Sequence, residues 1–340
     1  MDSNSQSNPN RKKVVVIGGG TGSYVVLSGL RNYDIDLYAI VSMTDSGGST
    51  GRLRDQLGVL PPGDLRQALV ALSDSSEIWR KIFAYRFDNG DLQGHNFGNI
   101  FISVLQRITG TLESAIEEAS KVLDVKGTVI PVTFTNCNLC AKYEDGSVIE
   151  GESLIDESPT KRPKIQYMYL NPEAEANPRA IDAIAKADFI VITPGDLYTS
   201  IIPNFLVSGV VDALSKSKSK KIYVSNLMTK RGQTDEFTAS DHVFEIEKYS
   251  SCFMDYVLVN NKKPAPEVID WYLKTDNVAI VYDDFDERKV TEARILSRDL
   301  LGDAKFEQNI SDRVKRSLIR HDALKLGEEL VKIIDNRLSF

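Results

Sequence analysis

At 340 residues the chain is long enough to bury a core without disulfide or metal staples. Lys and Arg number 41 against 48 Asp and Glu, a net charge of −7, which excludes the broad basic surface of a nucleic-acid binder but not an anionic small ligand held by local cations and backbone amides. Three cysteines form no framework of pairs and suit a reducing compartment. The start, MDSNSQSNPNRKK, is polar, and no apolar run approaches the roughly 20 residues of a membrane span. The expectation is a cytoplasmic protein with no membrane span and no nucleic-acid partner.

Residues 1–11 read as a disordered tail. Residues 12–340 read as a single domain, because no linker, repeat or shift of composition divides them. The first structured segment, residues 13–17 (KVVVI), is a β-branched run of the kind buried on both faces of a parallel sheet. The turn Gly18-Gly19-Gly20-Thr21-Gly22 follows, then apolar residues at helical spacing over 23–30. A second strand over 35–43 leads into TDSGGSTGR and another helix. Pro61-Pro62-Gly63-Asp64 opens the helical run 65–73, and GHNFGN precedes an apolar helix over 100–108. Segments 127–134 and 139–149 alternate and carry an Asp145-Gly146 turn, which predicts a β-hairpin excursion. Strands over 187–192 and 221–225 restore the parallel rhythm, with weaker candidates at 256–259 and 278–281 and a long helix over 311–338. The predicted fold is α/β: a Rossmann-like, doubly wound, mainly parallel sheet with helices on both faces and a small hairpin.

In such a fold the loops at the carboxyl ends of the strands bind the ligand. The first loop meets G-x-G-x-x-G at Gly18 and Gly20 but has Ser23 at the third position. Its glycines let the backbone approach a phosphate, and the helix start supplies N–H groups. Taken alone, such a cluster also serves as a plain tight turn. The second loop adds Ser46, Gly47, Gly48, Ser49 and Arg52 beside Asp45, a second cradle where an ordinary dinucleotide fold has none. Arg52 and Arg54 offer charge-assisted bonds to a diphosphate; the alternative is a solvated loop. Asp64 reads either as a first-turn acid favoured by the helix dipole or as a metal ligand or acceptor for a substrate hydroxyl. His95, with Asn96 and Asn99, reads as a ligand contact against a structural histidine. Gly195, Tyr198 and Thr199, then Asn226 and Thr229, place further polar groups after strands. The expectation is one cleft in which bare main-chain amides face a diphosphate. Asp45, Asp64 and Asp196 are weak metal candidates; Asp45, Asp64 and His95 are the catalytic ones, although no nucleophile–base pair is recognisable. Cys137 and Cys140 form a lone C-x-x-C, read as structural. Arg320, in the stretch IRHD, is either surface charge or a cation stacked on a base.

These motifs in this order (IGGGTGS, TDSGGSTGRLR with GVLPPGDLRQALVALS, GHNFGN, DGSVIEGES, TPGDLYTSIIPN, NLMTKRGQTDEFTASDH and IRHD) resemble the CofD/YvcK family over nearly the whole chain. One branch holds 2-phospho-L-lactate transferase, the coenzyme F420 enzyme. GVLPPGD, NLMTKRGQT, SDH and IRHD resemble the other, YvcK-like branch, often named gluconeogenesis factor. That resemblance implies a protein that binds a UDP-sugar such as UDP-N-acetylglucosamine and supports cell-envelope synthesis and cell shape, with no reaction firmly attached. It implies that Gly18–Gly22 and Asp45–Arg52 line the phosphates, that Asp64, His95, Asn96, Asn99, Tyr198, Thr199, Asn226 and Thr229 line the same cleft, and that Arg320 lies near the nucleotide. A homodimer and contacts with cell-envelope enzymes accompany it as expectations. Two positions depart from the family pattern: Asp196 stands where serine is common, and Ala323 where relatives carry a threonine suited to phosphorylation. A magnesium-dependent transferase of phosphorus-containing groups is the alternative, with magnesium as its cofactor, and an NAD(P)-binding oxidoreductase the third reading.

Overall fold

The computed structural model describes residues 11–157, 162–275, 278–287, 291–303 and 319–338; the expected tail, apart from Arg11, and the first part of the expected C-terminal helix lie outside them. The strands in chain order are β1 (Lys12–Gly18), β2 (Ile35–Val41), β3 (Thr128–Pro131), β4 (Asn138–Tyr143), β5 (Val148–Glu150), β6 (Ile165–Asn171), β7 (Phe189–Ile192), β8 (Lys220–Val224), β9 (Tyr256–Asn260) and β10 (Arg294–Arg298). Seven of them make one sheet in the order β10-β9-β8-β7-β1-β2-β3, and every neighbouring pair is parallel. The Val14–Ile17 run of β1 is fully buried, as a β-branched strand sandwiched by helices must be.

The chain leaves β1 toward β2 and β3, then returns to lay β7 on the other side of β1. Right-handed crossovers then place the helices of the two halves on opposite faces. The order reverses between β1 and β7, which makes that gap the topological switch point. The first helices are α1 (Gly20–Leu30), α2 (Gly48–Leu57) and α3 (Gly63–Leu72). α1 packs on α3 and on the C-terminal helix Ala323–Ile334.

Several elements differ from the sequence expectation. Residues 128–131 do not begin the hairpin; Thr128–Pro131 adds a parallel strand beside β2. The hairpin proper is β4 with β5, turning where Ser147 N–H donates to Asp145 Oδ1 at 2.9 Å, and β6 completes a separate antiparallel sheet in the order β5-β4-β6. Residues 278–281 form no strand: only Ile280 bridges, to Met228. The edge strand β10 went unread because RILSR carries charge at both ends and too short an apolar run. The described C-terminal helix starts later than expected, at Ala323, where Asp322 Oδ1 caps the Leu324 and Lys325 amides at 2.9 and 3.0 Å.

The contact between α1 and the C-terminal helix depends on two glycines. A Cβ on Gly29 would meet the Ala323 carbonyl and come within 3.1 Å of Gly327 N, and one on Gly327 would meet the Gly29 backbone. A Gly327→Leu substitution is therefore expected to destabilise the protein by about 1–3 kcal/mol through overpacking, read as a lower urea midpoint at unchanged slope.

Candidate functional site

The glycine loops after β1 and β2 lie side by side, because Gly18 pairs with Val41 at the ends of the two strands. The third loop belongs to the same edge: a Cβ on Gly22 would run into the Pro194 carbonyl after β7, so the loops on the two sides of the switch point touch backbone to backbone. Asn226, after β8, joins them by donating Nδ2–H to Gly195 O at 2.6 Å while Tyr223 donates to its Oδ1 at 3.0 Å.

Both α1 and α2 open on a glycine N-cap, Gly19 and Gly47, with no side chain to offer, so their first-turn N–H groups need partners from elsewhere. Asp64 supplies one. Its Oδ1 accepts from Gly20 N–H at 2.9 Å, and the other oxygen fills the space where a Cβ on Gly19 would stand. Asp45 does the same for the second loop, accepting from Gly47 N–H at 2.9 Å, with its other oxygen against Gly63. Ser46 N–H donates to Glu152 Oε2 at 3.2 Å. The expectation of bare amides is therefore corrected at Ser46, Gly47 and Gly20: acidic side chains already sit on them. The physical reason is that an orphan N–H at a half-buried helix start attracts the nearest anion, and the Gly63-Asp64 turn delivers one between the loops.

Crowding these acids has a cost that shows in their protonation. Burial, then repulsion from Asp45, raises Asp64 to about 7, against the pull of the Gly20 hydrogen bond and Arg66. Asp45 is raised by burial despite Gly47, Thr50, Arg66 and Arg86. Glu152 is pushed well up by burial and by Asp45 and Asp156. Among the described residues no three metal-ligating side chains gather into a cage. A magnesium ion would have Asp45 and Asp64 from the protein and would need ligand oxygens or water to complete its shell.

The GHNFGN loop locks against α2. Ser49 Oγ accepts from Asn96 N–H at 3.1 Å and lies 3.3 Å from His95 Nδ1, so its own proton is free to point at that nitrogen. His95 is 6% exposed, and burial with Arg52 and Arg86 nearby holds it below its ordinary pKa. Asn96 caps the following helix through Asn99 N–H at 3.1 Å, and Asn99 in turn accepts from Arg66 Nε at 2.9 Å and donates to Thr50 Oγ1 at 3.3 Å. Arg52 donates to Gln93 O at 3.0 Å, and Arg54 reaches Asn138 of the small sheet.

Other sequence candidates turn elsewhere. The Tyr198 hydroxyl donates to Glu245 Oε2 at 3.2 Å, and Thr229 exchanges hydrogen bonds with Ala279, at 3.3 Å to its carbonyl and 2.9 Å from its N–H. Arg320 is half-buried, with its carbonyl accepting from Gly302 N–H at 2.8 Å; its neighbour His321, pushed down by burial to about 4, is bonded to the Ser225 main chain at the end of β8. Sequence reasoning missed Glu152, Asp156 and Lys230. The Lys230 ammonium lies 2.8 Å from Asp156 and 3.1 Å from Asp196, which neutralises the acid that departs from the family pattern. The signal was present in DGSVIEGES and NLMTKRGQT, but nothing local says that a hairpin helix and the loop after β8 meet. A shallow surface groove lies at the amino ends of the strands, between Lys13, Tyr38 and Arg179, away from the glycine loops.

The raised Asp64 sets a pH dependence. Between the ordinary carboxylate range near 4 and about 7, the folded protein keeps a proton that the unfolded chain releases, so stability falls as pH rises through that window and the loss is complete above it. An Asp64→Asn variant keeps an acceptor for Gly20 without the charge. Its melting temperature is expected to exceed that of the wild type at pH 8 and to converge with it near pH 4, as measured in parallel melts.

Comparison with known proteins accords with this architecture. A family model described as "2-phospho-L-lactate transferase CofD" matches residues 14–301. A relative from Thermotoga maritima is 42% identical over 322 residues, covering 94% of this chain and 99% of its own. The Bacillus subtilis protein described as "Gluconeogenesis factor" is 38% identical over 327 residues, 95% of this chain and 98% of its own. The crystal structure of a UPF0052-family protein from Bacillus halodurans superposes with a TM-score of 0.85 at 37% identity, covering 94% of this chain and 99% of that one. The chain, with its paired glycine loops on one sheet edge, belongs to the CofD/YvcK family.

Proposed function

We propose that the protein binds a UDP-sugar, UDP-N-acetylglucosamine first among them, at the carboxyl edge of its sheet, and that it acts as a regulator of cell-envelope synthesis and cell shape rather than by turnover. The observation that supports this reading is the meeting of two glycine-opened helix starts, α1 and α2, with the Pro194-Gly195 loop at the switch point. That is where open α/β sheets take nucleotides, and paired helix starts suit a diphosphate. The regulatory part rests on the relatives named gluconeogenesis factor; the contact of Ser49 with His95 Nδ1 belongs to a network that also fixes the Asn96 N–H and locks the loop.

A second reading, favoured by the family model's description, is transfer of a phosphorus-containing group from a nucleoside-diphosphate-linked donor. Magnesium would supply charge neutralisation on the diphosphate there; Asp45 and Asp64 are the residues that would hold it. An NAD(P) reading is weaker, since the Asp45 oxygen suited to a ribose hydroxyl already accepts from Gly47.

The expected result is an upward shift of the melting temperature with UDP-N-acetylglucosamine, by mass action, and little shift with NAD. Gly19→Ala is expected to abolish the response, because its Cβ meets the Asp64 carboxylate and lies 3.2 Å from Ser200 O. No shift at millimolar UDP-sugar rejects the proposal, and magnesium-dependent release of a nucleoside monophosphate replaces it with the transferase.

A further inference from the structure

The short helix Glu152–Asp156 links β5 to β6 and meets the rim through its side chains. At one end Glu152 Oε2 accepts from Ser46 N–H at 3.2 Å, and Ser153 N–H donates to Ser46 Oγ at 3.0 Å. At the other end Asp156 Oδ1 takes the Lys230 ammonium at 2.8 Å, together with Thr199 Oγ1 and Gln233 Nε2 at 3.3 Å each. Between them Ile155 is fully buried, and its carbonyl accepts from Arg162 Nη1 at 3.2 Å. The backbone of this helix is pinned, while its two acids reach outward onto donors of the loops after β2 and β8.

Those donors are the groups that an anion would use: a loop amide beside a helix start, an ammonium and a hydroxyl. The carboxylates sitting on them are poorly accommodated. Burial and neighbouring acids raise both Glu152 and Asp156, and Asp196 shares Lys230 with Asp156 at 3.1 Å. Exchanging Asp156 for a ligand phosphate oxygen would leave the charge around Lys230 balanced by Asp196 as before, and would let Asp156 turn to solvent.

We infer that Lys230 is the cation of the ligand site, and that Glu152 and Asp156 are an internal anion that occupies Ser46 N–H and Lys230 until a phosphate-bearing ligand displaces them. This deepens the proposed function and rests on the same rim, but it requires only a diphosphate, not a particular nucleotide or sugar. Ile155 keeps the helix in place; only the two side chains yield. The apparent affinity of the wild type is then lowered by the fraction of molecules in which the acids cover the donors.

The test is calorimetric titration of the full chain with sodium pyrophosphate and, separately, with UDP-N-acetylglucosamine, each variant first checked for wild-type circular dichroism and melting. The double variant Glu152→Gln, Asp156→Asn is expected to bind both probes about tenfold more tightly than the wild type, as removal of a self-occupying anion predicts. Glu150→Gln removes a charge from the same small sheet, where Glu150 accepts from two side-chain amides, Asn138 Nδ2 at 2.8 Å and Asn171 Nδ2 at 3.4 Å. It is expected to change affinity by no more than about twofold, the scale of an exposed charge. Lys230→Met is expected to weaken both probes at least tenfold, and Lys230→Arg to restore most of the loss. Equal or weaker binding by the double variant, an equal gain from Glu150→Gln, or full affinity in Lys230→Met overturns the inference, as does silence of both probes on the double variant. Pyrophosphate following the expected order while UDP-N-acetylglucosamine stays silent supports the internal anion and rejects the nucleotide-sugar reading. The converse, UDP-N-acetylglucosamine binding alike in every variant, keeps that reading and discards the internal anion.

Discussion

Carboxylate oxygens on main-chain amides hold the carboxyl edge of this sheet together. Asp64 on Gly20 and Asp45 on Gly47 each tie a loop to the turn that opens α3, with Gly63 set against Asp45 and Gly19 against Asp64. Those bonds set the position of α1's start relative to α2's through the turn between them. The loops come from adjacent strands, and each opens its helix on a glycine that has no side chain to cap it. The acids give the rim its shape, and the requirement for glycine on either side follows from how closely the carboxylates approach the backbone.

This arrangement has an electrostatic consequence. Asp45, Asp64, Glu152, Asp156 and Asp196 crowd one edge, against Arg66, Arg86 and Lys230, and burial raises the first four of these acids. A site of this sign is unfavourable for a free diphosphate unless some of the acids protonate, move away or share a cation. Lys230 between Asp156 and Asp196 is the place where sharing already occurs. The rim is therefore a set of N–H and ammonium donors occupied by the protein's own acids.

His95, Tyr198 and Thr229 show what order along the chain leaves open about a side chain. His95 sits in a polar, glycine-rich stretch and reads as a ligand contact; its Nδ1 lies 3.3 Å from Ser49 Oγ in the first turn of α2. Tyr198 and Thr229 follow strands as ligand residues do, but Tyr198 turns to Glu245 and Thr229 to Ala279. A residue's place after a strand sets which end of the sheet it occupies. It does not set which way the side chain turns, since that depends on what packs against the loop from elsewhere.

The amino-acid order by itself determined the strand–glycine–helix units of the first half, the parallel sheet and the edge where its loops gather, because hydrophobic period and glycine position act over a few residues. It also carried the ordered motifs of the family, which depend on the chain alone. Only the tertiary structure decided that residues 128–131 join the main sheet instead of the hairpin, that acids cover the loop amides, and that Glu152 and Asp156 meet Ser46 and Lys230 across separations of 106 and about 74 residues. Those contacts arise from where β4, β5 and the short helix after them land on the rim. Such a landing is the sum of many packing choices distant in sequence, and no local period encodes it.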